Sequence, residues 1–340
     1  MNTQIYATFG PACQDEAVLK QMIDAGMSGM RLNLSHTTLP KSASYINAYK
    51  SATKQCDVLP QILIDMQGPE LRVGDLETTL LLEEGEEVVF CLKDGAEDSS
   101  EIQKVVPVPK EVKAAVESGD IVLLDDGKIQ IQIIECVEKV SAKVIRGGEL
   151  KGHKSIKIKD KNIPMPVLTE HDIENIKLAK EYGVTALMQP FVLSGANLKD
   201  VRDALNKYGA GDISIYAKIE NRIGVENIED IIPEADVIII ARGDLGNDMP
   251  LWELPRVQKK IENVCKKHKK PYIVVTQMLA SMETNAIPTR AEVSDIFHAV
   301  MHGAYGVMIT GESAIGKYPV EAVKYLANTA KEAEGYCKEE

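Results

Sequence analysis

The chain of 340 residues carries 51 acidic residues against 39 Lys and Arg, a formal net charge of −12, which argues against nucleic acid or an anionic membrane as a bulk partner. Apolar residues are plentiful enough for a sizeable core, yet no segment approaches the roughly 18 consecutive apolar residues of a membrane span. The N-terminus lacks the basic and apolar regions of a secretion signal, and Cys13, Cys56, Cys91, Cys136, Cys265 and Cys337 are scattered without a CxxC, so a cytoplasmic protein with reduced thiols is expected.

In chain order, apolar runs predict strands over Gln4–Gly10, Gly29–Leu34, Pro60–Met66, Ala186–Phe191, Ile213–Glu220, Val237–Asp244, Tyr272–Met278 and Gly306–Thr310. Amphipathic segments such as Glu16–Ala25, Glu170–Tyr182, Glu253–His268 and Val320–Glu334 predict helices between or after them. Eight βα units with right-handed crossovers make a (β/α)8 TIM barrel; a doubly wound open sheet is the alternative. The pattern breaks between about Gly74 and Lys161, where short β-like runs and turns surround one helical stretch, Lys110–Ser118. This predicts a small inserted β-barrel lid domain after the third strand, with boundaries at 1–72, 73–161 and 162–340. The basic run from Lys151 to Lys161 reads as a solvated loop or as a positively charged cover over phosphates. The lone Trp252, at a helix start, reads as a packing residue.

Two strand ends carry charge. Ala217-Lys218-Ile219-Glu220-Asn221 and Ala241-Arg242-Gly243-Asp244 each follow an apolar run. Residues two apart on a strand share a face, which puts Lys218 beside Glu220. Carboxylates from adjacent strand ends can hold a divalent metal, and a lysine beside them can meet an anionic substrate that the metal also touches. Such a layout serves phosphoryl transfer or an enolate. The structural alternative is a plain ion pair of Lys218 or Arg242 with a neighbouring acid.

With the strands placed, the chain resembles the pyruvate kinase family. The resemblance is carried by Thr8-Phe9-Gly10-Pro11-Ala12, Met30-Arg31-Leu32-Asn33-Leu34-Ser35-His36, Asp65-Met66-Gln67-Gly68-Pro69-Glu70-Leu71-Arg72, the two strand-end motifs above, Thr276-Gln277-Met278-Leu279, Pro288-Thr289-Arg290-Ala291-Glu292 and Thr310-Gly311-Glu312-Ser313-Ala314. They keep the family's order across essentially the whole chain. The resemblance implies transfer of a phosphoryl group between phosphoenolpyruvate and ADP, giving pyruvate and ATP. It implies Lys218, Thr276 and Arg31 as catalytic residues, with Gly243 and Asp244 completing the substrate site. Glu220 and Asp244 would ligate Mg²⁺ or Mn²⁺, and Asn33, Ser35, Asp65 and the Met66 carbonyl would ligate K⁺. Glu70 goes with K⁺ dependence in the family. Thr8, Pro11, His36, Arg72 and Lys154 would contact the nucleotide. Family members usually carry a C-terminal regulatory domain, which is expected to be absent here, and a homodimer through the barrel near Pro288–Ser294 is the expected assembly, although Val293 replaces the family's glycine there.

Departures cluster on the nucleotide side. Met66-Gln67 replaces a Thr-Lys pair, Pro190 stands where a serine usually precedes the phenylalanine, and the exit of the insert, Gly152 to Asp160, keeps one lysine in register. Two other readings therefore stay open: a Mg²⁺-dependent enolate lyase or aldolase acting on pyruvate or oxaloacetate, and a non-catalytic metabolite-binding paralogue.

Overall fold

The computed structural model describes residues 3–35, 37–92, 104–125, 127–137, 139–159, 161 and 163–339. Strands in chain order are β1 (Gln4–Thr8), β2 (Gly29–Asn33), β3 (Ile62–Asp65), β4 (Leu80–Leu82), β5 (Glu87–Leu92), β6 (Lys104–Val108), β7 (Ile121–Leu124), β8 (Ile129–Glu135), β9 (Val140–Arg146), β10 (Gly148–Leu150), β11 (Ile156–Ile158), β12 (Ala186–Gln189), β13 (Ser214–Ile219), β14 (Val237–Ala241), β15 (Tyr272–Val275) and β16 (Gly306–Met308). The main helices are α1 (Glu16–Asp24), α2 (Ala43–Gln55), α3 (Lys110–Ala115), α4 (Glu170–Ala179), α5 (Gly195–Lys207), α6 (Arg222–Glu226), α7 (Ile228–Ile231), α8 (Arg242–Asp248), α9 (Leu254–Lys267), α10 (Arg290–Met301), α11 (Gly311–Ala314) and α12 (Pro319–Glu339). The chain forms two compact units, one from residues 1–68 with Val167–Glu340 and the other from Pro69–Pro166.

In the first unit β1, β2, β3, β12, β13, β14, β15 and β16 close a parallel barrel, β16 pairing back onto β1. This is the (β/α)8 architecture, not the open sheet. Strand alternation divides each β segment between two environments. Tyr6, Leu63, Met188, Tyr216, Ile239, Ile273 and Met308 form the buried packing inside the barrel. Their neighbours one residue away, such as Ile5, Ile64, Ile215, Ile240, Val274 and Val307, join the layer between strands and helices. The same parity, carried on toward the C-terminal ends, turns Thr8, Arg31, Asp65, Lys218 and Glu220 inward. Each inward row thus begins apolar and ends polar, so the barrel floor is packed and its C-terminal rim is chemically equipped. The observed strands stop one to three residues short of their expected ends. The polar rim residues leave the hydrogen-bonded ladder for turns, and Asp244 sits in the first turn of α8.

The second unit contains a six-stranded sheet ordered β11-β7-β8-β9-β5-β6 and a two-stranded pair, β10 with β4. It has its own buried core, including Phe90, Val106, Val122, Ile131 and Val144. Trp252 corrects the expectation of packing: it is 84% exposed, on a short 3-10 turn before α9. No helix among the described residues is long and apolar enough to cross a membrane.

Candidate active site

Asp65, at the end of β3, is the hub of the barrel rim. It is 2% exposed. Arg31 on β2 donates to its Oδ2 from Nη2 at 2.6 Å and from Nε at 2.9 Å. Lys218 on β13 brings Nζ within 3.2 Å of its Oδ1, and within 2.8 Å of Glu220 Oε1. The inward parity of three strands produces this cluster: Asp65 is level with Asn33 and, through Met188, with Tyr216, so Arg31 lies two residues before it on β2 and Lys218 two residues beyond it on β13. Arg31 also reaches Thr8 Oγ1 at 3.3 Å. The second Glu220 oxygen accepts from the Phe191 backbone N–H at 2.8 Å.

The electrostatics follow from burial and pairing. Burial opposes the charged form of Asp65, but Lys218 and Arg31 outweigh it and hold the carboxyl below its ordinary range. Burial likewise opposes the ammonium of Lys218, and Asp65, Glu220 and Asp244 reverse that, so the lysine stays protonated. Glu220 is pushed upward by burial, with Lys218 opposing and Asp244 adding to the rise. With all three carboxyl groups ionised, two cations, Arg31 and Lys218, would face Asp65, Glu220 and Asp244, a surplus of one negative charge that is relieved by the rise of Glu220 toward protonation.

That surplus and the donor set fit a divalent ion. The Asp244 carboxylate makes no hydrogen bond to a protein donor among the described residues, yet it acts on both Lys218 and Glu220. Hard oxygen ligands of this kind suit Mg²⁺. The oxygen donors expected to hold a monovalent cation lie close together on neighbouring strands. Asn33 and Asp65 are register partners across β2 and β3, and the buried Asp65 Oδ1 faces only the Lys218 ammonium, at 3.2 Å. Asn33 Oδ1 accepts from the Ser35 N–H at 3.1 Å, which draws Ser35 against it. Met66 is buried at the start of the following turn.

Thr276 follows β15. Its hydroxyl donates to Val275 O at 2.6 Å and accepts from the Gly243 N–H at 2.8 Å, joining two expected substrate contacts. Its φ is +72° and that of Gln277 is +52°, while Phe191, after β12, has φ +53°. Left-handed non-glycine residues are costly and cluster at functional sites; here three lie at barrel strand ends. An L-side chain in that region is invisible to propensity, so the sequence carried no sign of it. Also unannounced were the Phe191 N–H contact to Glu220 and the Arg242 contacts. Arg242 Nη1 donates to Asp295 at 2.7 Å and Nη2 to Thr276 O at 2.7 Å.

Of the expected nucleotide residues, Thr8 is buried at the rim and Pro11 exposed at a 3-10 turn; His36 lies outside the described residues. Arg72 and Lys154 come together within the second unit. Arg72 bridges Ser155 by strand pairing, donates to His153 O at 2.8 Å and pairs with Glu70. Lys154 pairs with Asp125 at 2.8 Å. The acid expected to accompany K⁺, Glu70, is thus held by Arg72.

The pyruvate kinase barrel-domain family matches residues 1–323. A pyruvate kinase of Thermococcus litoralis is 40% identical over 98% of this chain and 70% of its own length. One of Chlamydia muridarum is 36% identical over 98% and 69%. One of Staphylococcus aureus is 35% identical over 98% of this chain, which spans only 57% of that relative. With a closed barrel and a rim of this composition, the match over nearly its full length means that the chain belongs to the pyruvate kinase family.

Proposed function

We propose that the protein moves the phosphoryl group of phosphoenolpyruvate to ADP and protonates the resulting enolate to pyruvate, with Mg²⁺ and K⁺ as cofactors. The observation that carries this reading is Lys218, 14% exposed and held between Asp65 and Glu220 at the C-terminal end of the barrel strands. A buried, permanently charged ammonium needs a purpose beyond stability, because apolar replacements of buried pairs often stabilise as well.

Phosphoryl transfer passes through a loose transition state whose charge spreads over the equatorial oxygens, so positioning and charge neutralisation are the main work of the protein. Lys218 and Arg31 supply the positive charge at the phosphoryl group. The bond between the enol oxygen and phosphorus breaks as an oxygen of the ADP terminal phosphate bonds to phosphorus, and the enolate left behind takes a proton at its methylene carbon. Glu220 and Asp244 would hold Mg²⁺, which when bound neutralises phosphate and enolate oxygens; Asn33, Ser35, Asp65 and the Met66 carbonyl would hold K⁺. The backbone turn at Gly243 and Asp244, at the start of α8, would meet the substrate carboxylate, with the Gly243 N–H held on the Thr276 hydroxyl until substrate arrives. Thr276 stands beside the enolate as an orienting or proton-passing hydroxyl. The family resemblance assigns Arg72 and Lys154 to the nucleotide phosphates, a duty that an enolate lyase or aldolase would not require.

A coupled assay of pyruvate formation tests the reading. Turnover that needs phosphoenolpyruvate, ADP and Mg²⁺ together, and rises with K⁺, is the expected outcome. Pyruvate released from oxaloacetate, with none from phosphoenolpyruvate, would replace it with the lyase.

A further inference from the structure

We infer that Asp295 is a positioning residue for Thr276, acting through Arg242. Three observations meet here. The Thr276–Gln277 pair has two consecutive left-handed residues, neither of them glycine. Such a conformation persists only where the surroundings over-determine it. The Thr276 side chain does part of this by bonding Val275 O and receiving the Gly243 N–H. Its carbonyl is fixed from outside the barrel by Arg242 Nη2 at 2.7 Å, while Nε of the same guanidinium lies 3.4 Å from Val275 O. The guanidinium is planar, so what fixes one edge fixes the other. That other edge is held by Asp295 on α10, at 2.7 Å from Nη1. Asp295 therefore touches no residue expected at substrate, yet it determines where the Thr276 peptide lies.

The pair adds little to stability. Asp295 is 37% exposed, the pair faces a cavity of about 330 Å³ between α9 and α10, and partly exposed ion pairs contribute little to folding. Its geometric consequence is larger: without the carboxylate, the guanidinium keeps only Val275 O, Thr276 O and Met278 Sδ on its inner edge and can turn toward the cavity, so the strained turn can relax and carry the hydroxyl off the enolate position. Misplacement of a reacting group by about 1 Å can cost on the order of a hundredfold in rate.

The inference rests on the proposed reaction for its catalytic part, and the test separates the two. Turnover by the unaltered protein checks the reaction. For the brace, Asp295→Ala is expected to lower kcat and the enzyme-catalysed exchange of pyruvate methyl protons with deuterium about 10- to 100-fold, with KM for phosphoenolpyruvate and the Mg²⁺ requirement within about 3-fold. Asp295→Asn, which keeps size and an acceptor, should recover part of the loss. Combined with Thr276→Val, Asp295→Ala should add almost nothing, because both changes remove one function. Losses that multiply in the double variant, or a single variant within 2-fold of the parent, would overturn it. A crystal structure of Asp295→Ala gives an answer independent of activity: the expected result is a displaced or heterogeneous Thr276–Gln277 turn, and an unchanged turn with Arg242 still on Thr276 O contradicts the brace.

Discussion

At the residue scale the balance around Lys218 decides the chemistry. Its removal by Lys218→Met would leave Asp65 and Glu220 facing each other without their shared cation. Loss of one partner of a buried pair costs about 3–5 kcal/mol, moderated here because Glu220 readily takes a proton. We expect turnover to fall by several orders of magnitude while the protein still folds and still binds Mg²⁺. The titration signs differ among the three groups. Asp65 is depressed, so its stabilisation is present at neutral pH and is lost as pH falls through and below the ordinary carboxylate range. Lys218 is raised, so its contribution is complete below the ordinary lysine range and is lost only at strongly alkaline pH. Glu220 is raised, so without metal its ionisation is a cost that grows as pH climbs above the ordinary glutamate range. Glu220→Gln should therefore raise the thermal midpoint of the metal-free protein at pH 8 by about 2 °C or more, while weakening the Mg²⁺ dependence of activity. A lower midpoint with an unchanged metal titration would show Glu220 to be an ordinary structural acid.

At the element scale, several of the motifs that identify the family are brackets and not reactants. Glu292 accepts from Thr289 in a capping box at the start of α10 and from Ser281 N–H and Oγ, tying that helix to the turn after β15. Glu312 accepts from Leu279 N–H and Thr310 N–H, and Ser313 bridges to Thr8. Asp172 in α4 is fully buried and accepts from Gln67 N–H, Gly68 N–H and Thr169, which fixes the turn after Asp65 and Met66. Its loss in Asp172→Ala should speed amide exchange at Gln67 and Gly68 far more than in the barrel strands; uniform protection would contradict that clamp. Gly10 is extended, so its requirement is space: a Cβ there would lie 2.2 Å from Ala314 O. Gly10→Ala should cost about 1–3 kcal/mol by overpacking, read as a drop in denaturation midpoint. These brackets explain how far the sequence could be read. Apolar runs located all eight barrel strands, and strand parity put Lys218 beside Glu220, while Arg31 and Asp65 came from the family resemblance and their common inward face from the closed barrel. What it could not show were contacts made by backbone groups, such as Phe191 N–H on Glu220, or left-handed turns at Thr276 and Gln277, because neither depends on side-chain pattern.

At the scale of the whole molecule, the two units have separate hydrophobic cores. The break in βα periodicity after the third strand was visible in composition. The strand pairing inside the second unit, which sets β5 beside both β6 and β9, was not, since short half-buried strands carry too little pattern to choose partners. Separate cores predict two calorimetric transitions. Phe90→Ala, which empties a fully buried site of the second unit, should lower one of them by an amount corresponding to about 3–5 kcal/mol and leave the other in place; a single transition that shifts as a whole would show the units to unfold together. The reaction itself is read most directly by the rate of pyruvate formation from phosphoenolpyruvate and ADP with Mg²⁺, with and without K⁺, in the parent protein and in Lys218→Met. The account predicts K⁺-stimulated turnover in the parent and a loss of several orders of magnitude in the variant. A variant within tenfold of an active parent, or a correctly folded parent that makes no pyruvate under these conditions, would contradict it.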